Sequence, residues 1–132
     1  MVSFFTTVTT IAMALTATAA PAAAPAPAPQ DVQATGSHWG SMSYFYPGLG
    51  ACGQWSGNND YIVAVGAGLF DRERPCGRRL RVYGPNGRSA DVTVVDRCVG
   101  CGENDLDLSP AGFQAAIGSL DIGRTNASWD WI

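Results

Sequence analysis

Cys52, Cys76, Cys98 and Cys101 lie close together in a 132-residue chain. An even cysteine count in a short chain points to a disulfide framework, here two bridges with three possible connectivities. Cys98-x-x-Cys101 also has the spacing of half a zinc site or of a dithiol redox pair. Cys52 and Cys76 make no second half-site, and Gly102-Glu103-Asn104-Asp105 is turn material where a redox pair is followed by a helix. The expectation is a small fold stapled by two disulfides, with no metal.

Residues 1–35 cannot supply a core. Residues 1–20 carry no charged side chain, and the apolar run Ile11–Leu15 leads to the small residues Ala17-Thr18-Ala19. That pattern reads as a signal peptide over residues 1–19, and the run is too short for a spanning helix of about 20 apolar residues. Residues 20–35 begin with the Ala/Pro stretch APAAAPAPAP, which favours extended polyproline II and reads as a linker or pro-segment. Residues 36–132 remain as one folded domain, small enough to need covalent help.

All eight basic residues are arginines, set against eleven acids, and they form no basic stripe. This points away from nucleic acid and anionic membranes. A secreted, extracellular monomer is the expectation.

The folded part reads as strands. Ser41–Tyr46 alternates, with Met42, Tyr44 and Tyr46 on one side. Tyr61–Val65 is a continuous apolar run of the kind that forms a buried strand, and Gly66–Phe70 reads as a short turn of helix. Arg79–Val95 reads as a hairpin around Gly84-Pro85-Asn86-Gly87, with Asn-Gly suited to a I′ turn. Ser109-Pro110 gives an N-cap and N1 pair for a helix ending near Gly118, with Phe113, Ala116 and Ile117 facing inward. Asn126–Ile132 alternates again. Short strands with one small helix suggest a small barrel filled by side chains.

Four motifs sharpen this: YFYPGLGACG (Tyr44–Gly53), CGRRLRV (Cys76–Val82), VTVVDRCVGC (Val92–Cys101) and DLDLSPAGF (Asp105–Phe113). In this order and spacing they resemble the RlpA-like double-psi β-barrel family, which includes barwin, the expansin N-terminal domain and family 45 glycoside hydrolases. The likeness is to small secreted fungal single-domain expansin-like proteins (loosenins) and to those named riboflavin aldehyde-forming enzyme. A similar secreted bacterial protein inhibits papain-like proteases. The resemblance covers Ser41–Ile132 and implies an all-β, six-stranded double-psi barrel with one or two short helices. It also implies the pairing Cys52–Cys76, which leaves Cys98–Cys101 as a clip at a strand end. The first bridge would contribute about 3 kcal/mol by restricting the unfolded chain.

The resemblance also implies a site. Asp107 matches by motif the general acid of hydrolytic relatives, although Asp105 stands where their motif has His. Such an acid needs a raised pKa, which burial or a like-charged neighbour such as Asp96 supplies. The alternative is that each aspartate pins a turn through backbone N–H groups. The catalytic base of those relatives lies on the first strand, whereas Ser41–Pro47 holds no carboxylate. Inverting hydrolysis needs both groups, so the pattern points to binding rather than catalysis.

Sugar rings stack on aromatic faces while carboxylates take their hydroxyls. Tyr44, Tyr46 and Trp55 are the candidate ligand-binding aromatics, with Trp39 beside them, although either tyrosine would also fill a barrel. Trp129 and Trp131 suit the core, His38 has no partner motif, and Asn126-Ala127-Ser128 is a glycosylation sequon.

The expectation is a non-hydrolytic expansin-like module binding glucan, cellulose or chitin of cell walls. Its rivals are a cysteine-protease inhibitor or host-interaction protein using loop tips, and a weak lytic or oxidoreductase activity. The chain has no Rossmann glycine fingerprint, and no cofactor is expected.

Overall fold

The computed structural model describes residues 36–132. The expected signal peptide (1–19) and linker (20–35) lie outside the described residues. Six strands form a closed barrel: β1 (His38–Tyr44), β2 (Ile62–Gly66), β3 (Arg79–Tyr83), β4 (Ser89–Cys98), β5 (Leu106–Leu108) and β6 (Thr125–Trp131). Around the barrel they run β1-β5-β2-β4-β3-β6. The pairs β1–β5 and β2–β4 are parallel and the other four antiparallel. This is the double-psi barrel that the motifs imply.

Local chemistry explains most elements. Asn86 (φ 57°, ψ 35°) and Gly87 (φ 71°) are both left-handed, and the Arg88 N–H donates to the Pro85 carbonyl at 3.1 Å. That is the I′ geometry favoured by Asn-Gly, and it sets the β3–β4 register from Tyr83↔Ser89 to Arg79↔Thr93. A helix α1 spans Ala67–Glu73, longer than the short turn expected at Gly66–Phe70. The second, α2 (Pro110–Ala116), starts at Ser109, whose hydroxyl accepts the Gly112 N–H at 3.1 Å.

Met42, Val63, Val65, Leu80, Val82, Val92, Val94, Leu106, Leu108 and Trp129 fill the barrel, and Phe113, Ala116 and Ile117 of α2 join them. Each large side chain so buried is worth about 1.5–3 kcal/mol of transfer free energy. Trp131 packs at the edge of this cluster, with the Arg78 guanidinium 3.9 Å from its ring centre. His38 stacks on Trp129 at 4.0 Å.

The expected first strand differs at both ends. β1 begins earlier because His38–Met42 pairs with β6, and it ends at Tyr44, ahead of Pro47, which has no N–H to donate. The bridges are Cys52–Cys76 and Cys98–Cys101, with Cα separations of 5.6 and 5.4 Å. The first ties the β1–β2 loop to the entry of β3. The second closes the turn after β4.

Candidate functional site

The site follows from strand register. Ala64, at the middle of β2, stands opposite Asp107 on β5 and opposite Asp96 on β4. Register partners point to the same face of a sheet. Ala64 alternates with the inward-facing Val63 and Val65, so both aspartates share the outer face. Two strand spacings separate their Cα atoms, about 9.5 Å. Continuing the row, Ser43 on β1 stands opposite Asp107. The β1–β6 register then brings Arg124, just before β6, beside Ser43.

A β-bulge makes this arrangement possible. Val63 pairs with Val94 and Ala64 pairs with Asp96, so Val95 is an extra residue in β4. Without it, Asp96 would pair with Val65 and point into the barrel, because a one-residue shift exchanges the two faces of a strand. The consecutive valines in Val92-Thr93-Val94-Val95 mark the break in alternation.

Asp107 is half-buried, and its Oδ1 accepts the Ser43 hydroxyl at 2.9 Å. Burial pushes its carboxyl above the ordinary carboxylate value. The Ser43 hydrogen bond and the Arg124 guanidinium oppose the rise, and the neighbouring Asp96 adds to it. Asp96 Oδ1 accepts the N–H groups of Ala51 and Arg97, both at 2.8 Å. Asp96 therefore anchors the β1–β2 loop as well as facing the row. Gly50 closes the loop onto β4: a Cβ there would stand 2.2 Å from the Val95 carbonyl oxygen, which accepts the Cys52 N–H at 3.0 Å.

Asp105 proves to be a clamp. Its Oδ1 accepts the Ser41 N–H at 2.8 Å and its Oδ2 the Gly102 N–H at 2.9 Å, fixing the entry to β5.

The aromatic candidates divide. Tyr44 packs against the core, with its ring 5.1 Å from Phe113. Tyr46 is 69% exposed and meets Tyr44 edge-on at 6.2 Å. Trp55 is 79% exposed on the β1–β2 loop, where a backbone bridge pairs it with Leu49. Trp39, also exposed, lies on β1. Ser43, Ala64 and Arg124 are row members that the sequence reading missed. Their only sequence signal is the register between distant strands.

Among the described residues, no group of three or more His, Cys, Asp or Glu side chains is placed to hold a metal ion. No helix among them is long and apolar enough to cross a membrane.

No protein-family model matches the chain. The ripening-related protein grip22 of Vitis vinifera is 29% identical over 96 residues, covering 62% of the chain. The chain spans 44% of that protein's length and 59% of a ripening-related relative from Oryza sativa subsp. japonica. The papain inhibitor of Streptomyces mobaraensis is 32% identical over 101 residues, covering 70% of each chain. Among solved structures, the Streptomyces papain inhibitor matches with a TM-score of 0.62 and 30% identity, over 70% of this chain and 91% of that one. A mutant Clavibacter michiganensis expansin in complex with cellohexaose matches with a TM-score of 0.64 and 27% identity, over 72% of this chain and 50% of that one. The closed six-stranded barrel, with likeness at 30% identity or more to a curated relative and a solved structure over 70% or more of their lengths, places this chain in the RlpA-like double-psi β-barrel family of barwin-like and expansin-like proteins.

Proposed function

We propose that the protein is a secreted, non-hydrolytic, expansin-like module that binds cell-wall polysaccharide along the row Asp96–Ala64–Asp107–Ser43. The observation that carries this reading is the shared outer face of the two aspartates, with a methyl group between them and a hydroxyl on β1 beside Asp107. Carboxylates accept sugar hydroxyls, and a small floor residue lets the chain approach the sheet. Tyr46 and Trp55 on the adjoining loop offer exposed faces for sugar rings. A glycan held this way competes for the hydrogen bonds between polymer chains and loosens them. The β1 residue nearest Asp107 is Ser43, which is no base for activating water, so hydrolysis is not the expected outcome. Two disulfides suit an oxidising extracellular compartment.

Pull-down on cellulose and chitin tests the reading. Retention that drops at least fivefold in Asp107→Asn supports it, and no retention beside a positive control overturns it. Release of reducing ends from soluble glucan or peptidoglycan would instead favour lytic chemistry at Asp107.

A second reading is a cysteine-protease inhibitor. It is favoured by the match over 91% of the Streptomyces papain inhibitor and by the exposed Leu49 and Trp55 of the β1–β2 loop. Inhibition of papain that is lost in Trp55→Ala would select it.

A further inference from the structure

We propose that the outer face of the β3–β4 hairpin carries a second sugar-binding site, centred on Tyr61, Arg81 and Asp91. A surface cavity of about 450 Å³ opens there, lined by Tyr61, Arg81, Ser89, Ala90, Asp91 and Ala115. Four residues of β4, including the bulge at Val95, lie between Asp91 and Asp96, a separation of roughly 13–16 Å at strand rise. None of the lining residues belongs to the Asp96–Asp107 row. The site shares the ligand class proposed for that row but not its residues.

The chemistry fits a neutral polyol better than an ion. Arg81 and Asp91 face each other in register and form a two-pronged pair, Nε to Oδ1 at 2.6 Å and Nη2 to Oδ2 at 2.9 Å. Arg79 lies 3.7 Å from Asp91, and Asp130 on β6 stands opposite Arg81. Two guanidinium groups and two carboxylates therefore balance, leaving no net charge to draw an anion. The pair still offers unused N–H donors and carboxylate lone pairs in a fixed plane, which matches the mixed donors and acceptors of sugar hydroxyls. Tyr61 supplies the apolar counterpart, with its side chain just outside β2 and the residue 52% exposed. Its carbonyl accepts the Thr93 N–H at 3.1 Å, so the backbone beneath the ring is anchored to β4. Ala115 of α2 adds a small side chain to the lining beside the phenol and the charged pair. Two separated sites on one small barrel would raise its hold on a polymer without tight binding at either one.

The test is an amide-shift titration of the ¹⁵N-labelled chain with cellohexaose and, separately, with chitohexaose. The expected result is saturating movement at Tyr61, Ala90, Asp91 and Ala115, with a midpoint distinct from that at Ala64 and Asp107. Tyr61→Ala, at an exposed side chain, should weaken the hairpin midpoint at least fivefold and leave shifts at Ala64 and Asp107 unchanged. Arg81→Gln should do the same. Movement confined to Ala64, Asp96 and Asp107 overturns the second site and leaves the first standing. Movement confined to the hairpin supports the second site and counts against the first. No movement with either oligosaccharide overturns both.

Discussion

The Ser43 hydroxyl donates to Asp107 Oδ1 at 2.9 Å across the parallel β1–β5 pair, holding down a carboxyl that burial pushes up. Because the folded-state pKa lies above the reference value of 3.8, the folded chain binds the proton more tightly than the unfolded chain. Stability is therefore lost as pH rises from that reference through the folded pKa, and the penalty is absent below it. Asp107→Asn keeps an acceptor for Ser43 and removes the charge. Thermal melts from pH 3 to 8 should show this variant melting higher than the parent at pH 7, with the gain vanishing toward pH 3.8. Ser43→Ala should raise the Asp107 midpoint further, read by carboxyl NMR titration.

Asp96 joins two tasks that substitution can separate. Asp96→Asn keeps an acceptor for the Ala51 and Arg97 N–H groups but replaces the carboxylate of the row. Its melting temperature should stay close to the parent's while retention on glycan falls. Asp96→Ala loses both tasks, and its extra cost should be about 0.5–1.5 kcal/mol because the freed N–H groups can reach water. Denaturant unfolding beside the pull-down checks both variants.

The two disulfides should contribute unequally. Cys52–Cys76 closes a separation of 24 residues and Cys98–Cys101 a separation of 3. Chain-entropy scaling gives about 3 kcal/mol for the first and about 2 for the second. In a domain of this size each kcal/mol moves the midpoint by roughly 4–8 °C. Calorimetry on the Cys52→Ala/Cys76→Ala and Cys98→Ala/Cys101→Ala pairs should show the larger drop in the first.

Gly50→Ala tests the seat of the loop. Its Cβ would collide with the Val95 carbonyl oxygen, a backbone atom that cannot swing aside. The expected cost is about 1–3 kcal/mol. The Ala51 contact to Asp96 should loosen as well, seen as faster amide hydrogen exchange at Ala51 and Cys52.

Whatever depends on near neighbours was legible in the sequence. Asn86-Gly87 set the hairpin turn, and Ser109-Pro110 set the start of α2. The strand pattern suggested only a small barrel, and the pairing of the bridges and the double-psi topology came through motif resemblance. The aspartate row was harder to see. It depends on pairings between strands far apart in the chain and on the extra residue Val95, and a period-2 pattern carries no information about which strand lies beside which. Tyr44 and Tyr46 show the same limit: alternation gave them one side, yet the strand stops between them and only Tyr44 reaches the core.

The row draws on four strands, and its members meet only when the long-range β1–β5, β2–β5 and β2–β4 pairs have formed. The hairpin can assemble early from its own turn, but at that stage Asp96 has neither Ala64 nor Asp107 near it. Distant pairings of this kind are slow to form. On the proposed reading, glycan capture at the row would report completed folding, and a chain halted at the hairpin stage should not hold ligand there.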